Sequence, residues 1–415
     1  MTTGSLDAPP RRSPLARDPA RAARRHPTED RGRSFGWRGP FERDRDRILH
    51  ARAFRRLGEK SQLLPLDGAR LVRTRLTHTL EVAGFARGLA RHLGLDEDLA
   101  EVIALAHDLG QPPFGPAGGR ALQRFLARRG GEAAGTFDPR AQALVVVDRL
   151  EIRYDHPGLN LTDDAREGLL KLERDDAAPP PGIDPAGLRA GEGSPLEGQA
   201  VRAAVAAVTP IHDLEDALGE EILDLREALR VPAVAALAAR LEKAGAWPRG
   251  RFRRIAALHR ALVHAAAGDI LIASRRRLAR AEEAGRVEAG KAVVGPGGKG
   301  AELTAALREL VAARVVGRPA VRRADARAER LVEGLAERYH RDPRLLDDAV
   351  LFRAREALAR PFLRDVPRNE QDAEIAGRYH GRPEFARLIA DHIAGMTDRY
   401  AREAWDALVP AGSDD

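Results

Sequence analysis

In the stretch RLTHTLEVAGFARGLARHLGLDEDLAEVIALAHDLGQPPFGPAGG, residues 75–119, His78 sits on one expected helix and the pair His107–Asp108 closes the next. Two imidazoles and one carboxylate suit Mn²⁺, Fe²⁺, Zn²⁺, Co²⁺ or Ni²⁺, with open positions left for water and phosphate. A plainer reading fits the same spacing. His78 serves equally as a hydrogen-bonded core histidine, and Asp108 as a turn or capping residue. The His–Asp dipeptide has little weight by itself, since the chain repeats it at His212–Asp213.

For a metal reading the elements must form a helical hairpin. Leu76, Leu80, Ala83, Leu89 and Leu93 are spaced to turn inward on the first helix, with His78 mid-helix among them. Gly94 suits a helix C′ position and Asp96 an N-cap for a second helix running to about Leu109. Upstream, Ile48, Leu49, Phe54 and Leu57 can share a face, and PLDGAR reads as a turn. Downstream, GQPPFGPAGG is a rigid loop before a helix carrying Leu122, Phe125 and Leu126. PRAQALVVVDRLEIRY suits a helix, although ALVVV alone suits a strand. RFRRIAALHRALVHAAAGDILIASRRRLARAEEAG reads as one long helix or two. No βαβ alternation, P-loop or fixed-period repeat appears, so the expected class is all-α. Residues 1–40 read as a disordered Arg/Pro-rich tail. Residues 41–235 read as a first core with a Pro/Gly-rich excursion at 175–199, and 236–410 as a helical region packed on it.

Composition narrows the classes. The 415 residues are 43% hydrophobic, enough for a sizeable core, and contain no cysteine. That excludes disulfides, thiolate metal sites and a cysteine nucleophile, and suits a reducing cytoplasm. No apolar run of about 18 residues is apparent, so no membrane span is expected. The net charge of +7 suits anionic ligands, nucleotides or nucleic acid. Solvated Arg-rich helix faces give the same charge, and the run ASRRRLAR at 273–280 reads that way more simply.

Several segments taken in order carry a resemblance: FERDRDRILHARAFRRLGEKSQL, RTRLTHTLEVA, ALAHDLGQPPFGPAGG, PGLNLTDDAREGLLK, HDLEDAL and IAGMTDRYA. From Phe41 onward the chain resembles the HD-superfamily deoxynucleoside triphosphate triphosphohydrolases, the bacterial dGTPase-like proteins. The resemblance implies an all-helical HD fold, commonly oligomeric. It implies a divalent metal, Mg²⁺ or Mn²⁺ above others, and water attack on the α-phosphorus of a dNTP to give deoxynucleoside and triphosphate. It places His78, His107 and Asp108 on the metal, Arg75 on phosphate, and Gln62 and Asp213 on the sugar.

The sequence departs from the family pattern in two segments. The family reads HDLGHxPFGHxGE where this chain has HDLGQPPFGPAGG. Gln111 replaces the first loop histidine. Pro116 and Gly119 replace the family's acid–base His and Glu, and neither moves a proton by its side chain. Aligned on His212–Asp213, Val205 stands where the family has its fourth metal ligand and Thr209 where it has a sugar-packing Tyr. Pro210 is expected to disturb that helix. The resulting expectation is a dNTP triphosphohydrolase of impaired activity with a weakly held metal. Its alternatives are an inactive nucleotide-binding or regulatory subunit, in a homo-oligomer or beside an active paralogue, and a helical nucleic-acid binder.

Overall fold

The computed structural model describes residues 11–26, 37–65, 72–287 and 290–409. The described residues are all-α. Two isolated bridges, Ser61 with Thr74 and Ile152 with Pro157, are the β pairings found among them. The turn expected over PLDGAR falls mostly outside the described residues.

Helix α1 (Pro40–Leu49) opens with Pro40, and Glu42 accepts from the Gly39 amide at 2.7 Å; α2 (Arg52–Arg56) follows. A first-turn proline lacks nothing a helix would use, and the returning glutamate satisfies an amide without a helical partner. Helices α3 (Arg75–Leu93) and α4 (Glu97–Ala106) make the hairpin. Thr74 caps α3, Gly94 ends it at φ 69°, and Asp96 accepts from the Leu99 amide at 3.0 Å to start α4. The chain continues with α5 (Gly115–Arg129), α6 (Pro139–Val145) and α7 (Asp163–Leu170). ALVVV is therefore helical, passing from α6 into a widened π turn at Val146–Leu150.

Helix α8 (Leu196–Gly219) is followed by α9 (Leu225–Ala228), α10 (Pro232–Lys243) and the single long α11 (Arg251–Glu283). Then come α12 (Gly298–Val311), α13 (Pro319–Arg341), α14 (Asp348–Leu358), α15 (Arg368–Arg378), α16 (Pro383–Ala394) and α17 (Asp398–Leu408). Among the described residues, α11 is the one helix long and apolar enough to cross a membrane. Here its Ile255, Leu258, Leu262, Ile270 and Leu278 are buried in the protein core.

Two hydrophobic clusters form. The first joins α1 to α4, α6 to α8, α11 and α12; the second joins α5 to α13, α14, α16 and α17. Their membership crosses residue 235, because α11 packs on α3 and α8 while α5 leaves for the later helices. Leu122, Phe125 and Leu126 carry α5 into the second cluster. Arg120, Arg124, Arg128 and Arg129 run beside it and pair with Asp325, Glu329, Glu333 and Glu337 of α13.

Several expectations need correction. Leu80 is 48% exposed and Leu49 38%. The inward stripe of α3 instead runs through His78, Val82, Ala86, Leu89 and Leu93, and His78 lies in its first turn rather than mid-helix. Helix α4 stops at Ala106, so His107 and Asp108 begin the turn after it. Residues 11–26, within the stretch expected to be disordered, lie against the helices. The Ser13 amide bonds to Gly94 at 2.8 Å, Arg17 to Glu197 at 3.0 Å, and Arg24 pairs with buried Asp44 at 3.1 Å. The excursion before α8 is also held. Arg166 donates to the Asp184 and Ala186 carbonyls, and Lys171 to those of Arg189 and Glu192.

Candidate metal centre and adjoining cavity

The α3–α4 hairpin brings His78, His107 and Asp108 together. One ligand-type atom from each lies within 4.8 Å of the others, and all three residues are buried. The His107 Nδ1 contacts the Ala104 carbonyl at 2.6 Å, and an N–H must lie between them because a carbonyl only accepts. That leaves Nε2 buried and without a hydrogen-bond partner, 3.4 Å from Asp108 Oδ1. Such a buried, unpartnered ring nitrogen is an atom a cation would satisfy.

Asp108 is braced on both sides. Arg75 Nη1 donates to Oδ2 at 3.2 Å and Gln111 Nε2 to Oδ1 at 3.2 Å. Burial pushes its carboxyl up, but His107, Arg75 and His78 outweigh this and hold it well below the usual carboxylate range. Burial lowers His78 well below the ordinary histidine value, so its ring is neutral at pH 7. Neutral imidazoles and an ionised carboxylate are the forms that bind divalent metals. The donor set therefore fits a divalent cation, and its two imidazoles suit the first transition row.

Arg75 also donates to the Ser61 and Gln62 carbonyls at 3.1 and 3.0 Å, so in this structure its guanidinium holds Asp108 and the 61–62 loop. Asp398, the first residue of α17, secures that loop and the next. Its carboxylate accepts from the Ser61 amide at 3.1 Å and from the Phe114 amide at 2.8 Å. The Gln62 side-chain oxygen is buried without a partner.

Helix α8 contributes one wall of a cavity of about 380 Å³, within the range of small-ligand pockets. Arg202, Val205, Thr209, Pro210 and Asp213 line it from α8, with Arg140 of α6 and Arg308 of α12. Asp213 Oδ1 is buried and unpartnered, and burial raises its carboxyl to about 7. At position 205 the wall carries the half-buried Val205 and no carboxylate. Pro210 does not break α8, contrary to expectation. Its missing N–H would have bonded to the Ala206 carbonyl. Arg308 Nη2 of α12 donates there instead, at 3.1 Å. Thr209 Oγ1 bonds back to the Val205 carbonyl at 2.7 Å.

Pro116 lies exposed in the first turn of α5, and Gly119 is half-buried, so no proton-carrying side chain projects from either position. Sequence reasoning passed over Arg140, Arg202 and Arg308, which come from three separate helices with no shared local pattern. It also passed over a cluster behind His78, in which Glu81, His212 and His259 lie within 4.8 Å. Of the arginines in ASRRRLAR, Arg275 and Arg277 donate to the carbonyls of His92 and Pro296.

Residues 75–151 match the HD domain, and residues 299–366 and 356–407 match the phosphohydrolase-associated domain. The chain is 36% identical over 405 residues to the deoxyguanosinetriphosphate triphosphohydrolase-like protein of Bradyrhizobium sp. (strain ORS 278), covering 94% of each chain. It is 37% identical over 401 residues to the protein of that name in Nitrobacter hamburgensis, covering 90% of this chain and 93% of the relative. In Caulobacter sp. (strain K31) the corresponding protein is 34% identical over 414 residues, covering 94% and 95%.

Proposed function

This chain belongs to the deoxyguanosinetriphosphate triphosphohydrolase-like family of HD-domain proteins, and from that premise we propose that it takes a deoxynucleoside triphosphate and hydrolyses it slowly to deoxynucleoside and triphosphate. The observation that carries the proposal is the buried, unpartnered His107 Nε2 beside His78 and Asp108, with an arginine-lined cavity whose Arg140 and Asp213 lie within electrostatic reach of Asp108 and Arg75. His78, His107 and Asp108 would hold a divalent cation, Mg²⁺ or Mn²⁺. When bound it supplies Lewis acidity toward a phosphoryl oxygen and a more acidic water. Arg140, Arg202 and Arg308 offer positive charge to the phosphates. Gln62 and Asp213 offer unpartnered polar atoms to the sugar. Asp213, held protonated up to about pH 7, can donate a hydrogen bond as well as accept one.

Slow turnover follows from what the chain lacks. Pro116 and Gly119 give no general acid or base, a contribution worth roughly 10²–10⁴-fold. Val205 gives the cation no fourth protein ligand. The same two features favour a second reading, a nucleotide-holding subunit that regulates an oligomer without turning over. Its setting would be the cytoplasm, with further copies of itself or an active relative as partner.

Turnover decides between them. Purified protein is incubated with each dNTP and Mg²⁺ or Mn²⁺, and deoxynucleoside and triphosphate are quantified beside His107→Ala. Release that disappears in the variant supports the hydrolase. Binding of dNTP with no release supports the regulatory subunit, and neither binding nor release sinks both.

A further inference from the structure

Behind His78 the polar atoms form a line. His78 Nδ1 and His212 Nδ1 are 3.0 Å apart, and His212 Nε2 is 3.0 Å from Glu81 Oε2. The other Glu81 oxygen accepts from Arg73 Nε at 2.8 Å. We infer that Glu81 and His212 are positioning residues that place the proton of His78 on Nδ1, leaving Nε2 as the lone pair available beside His107 and Asp108. This rests on the reading of His78 as a metal ligand.

The inference is a count of protons. A carboxylate only accepts, so the His212 nitrogen facing Glu81 carries a hydrogen. A neutral imidazole has one such hydrogen, so His212 Nδ1 is bare. Two bare nitrogens would repel at 3.0 Å. The hydrogen between them therefore belongs to His78, whose own single proton is then spent on Nδ1. Neutrality of His212 follows from its surroundings. It is 1% exposed, and Arg73 already meets the charge of Glu81. Metal-binding histidines are commonly fixed by a partner on the second nitrogen, and losing that partner weakens metal binding about 10–100-fold. Here the partner is an imidazole that is itself fixed by a carboxylate on the same helix as His78, one turn along.

The same count bears on the competing use of these residues. Glu81, His212 and His259 also lie close enough to surround a cation. A cation there needs His212 Nε2 bare, which moves its proton to Nδ1. That proton then points at His78 Nδ1 and drives the His78 proton to Nε2. Filling the outer cluster thus closes the inner one, and the Arg73 guanidinium bonded to Glu81 and Glu215 further opposes it.

The test records tautomers and affinity separately. The full chain, labelled with ¹⁵N-histidine and free of metal, is examined by long-range ¹H–¹⁵N correlation, with His78 assigned by its loss in His78→Ala. The expected pattern is a protonated Nδ1 and a bare Nε2; the reverse overturns the inference. Mn²⁺ affinity is then measured by electron paramagnetic resonance. Expected are losses of about 10–100-fold in His212→Ala and Glu81→Leu, with far-ultraviolet circular dichroism unchanged. His212→Asn, whose amide oxygen can accept from His78 Nδ1, should recover most of the loss. Equal affinity in all variants overturns the inference, as does a second Mn²⁺ equivalent that His259→Ala removes. If the native chain binds no Mn²⁺, the metal-dependent reading of function fails, while the metal-free tautomer still decides the proton chain.

Discussion

Arg308 donates to the Ala206 carbonyl, the acceptor that Pro210 leaves vacant one turn on. A proline in mid-helix normally costs about 3 kcal/mol through its missing bond and its ring clash. Here the missing bond is replaced from a neighbouring helix, and the replacement sets an arginine at the cavity rim. Pro210→Ala should raise stability by about 1–3 kcal/mol. Arg308→Ala should destabilise the native chain by about 1 kcal/mol and the Pro210→Ala chain by much less. Urea denaturation of the four proteins measures the coupling, and additive effects would contradict the exchange of donors.

Val205 stands half-buried on the cavity wall, at the position where the resemblance places a fourth ligand. Val205→Asp should tighten Mn²⁺ binding at least about tenfold, or 1.4 kcal/mol. Equilibrium dialysis with metal analysis reads this directly. Unchanged affinity would place position 205 out of reach of the His78–His107–Asp108 cluster.

Asp213 gives a pH signature. Burial raises its carboxyl to about 7, above the unfolded value. The unfolded chain therefore loses this proton first. The stability the protonated group contributes is complete below about pH 4 and is lost as pH rises through 7. Asp213→Asn should remove that loss and be more stable than the native chain at pH 8 by about 2–4 kcal/mol, with little difference at pH 4. Chemical denaturation at the two pH values settles it.

Gly110 lies two residues after Asp108. A Cβ there would lie 2.1 Å from the Pro139 carbonyl and 2.3 Å from the Ala143 amide. Backbone cannot yield as a side-chain tip does. Gly110→Ala should cost about 3 kcal/mol or more and push α6 away from the His107–Asp108 turn. Thermal unfolding checks the stability, and Mn²⁺ binding checks the turn.

Much of this arrangement was legible in the residues. The three putting their ligand atoms together are the three singled out by type and spacing, and Gly94 and Asp96 end and start helices as their chemistry dictates. Local signals of this kind depend on neighbours a few positions away. Other features do not. Leu80 looked inward because leucines mark a stripe, yet α3 gives the first half of that stripe to His78, Val82 and Ala86 before Leu89 and Leu93, where α4 and α8 pack on it. His212 looked like a chance dipeptide, because its meaning is a contact with a helix 134 positions earlier. The Arg-rich segment at 11–26 lacks apolar periodicity and was expected to be loose. It is held instead by ion pairs and backbone bonds to distant acids and carbonyls, which hydropathy does not register.

Asp398 gives the centre an order of assembly in time. Its carboxylate ties the Ser61 and Phe114 amides, which flank the His107–Asp108 turn in sequence. A growing chain carries His78, His107 and Asp108 long before residue 398 is made, and synthesis adds about 5–20 residues each second. For roughly ten seconds or more the ligands exist on a nascent chain whose two flanking loops have no clasp. The centre is thus among the last parts of the molecule to become rigid, and a chain released early would carry every ligand yet lack the clasp that holds their loops.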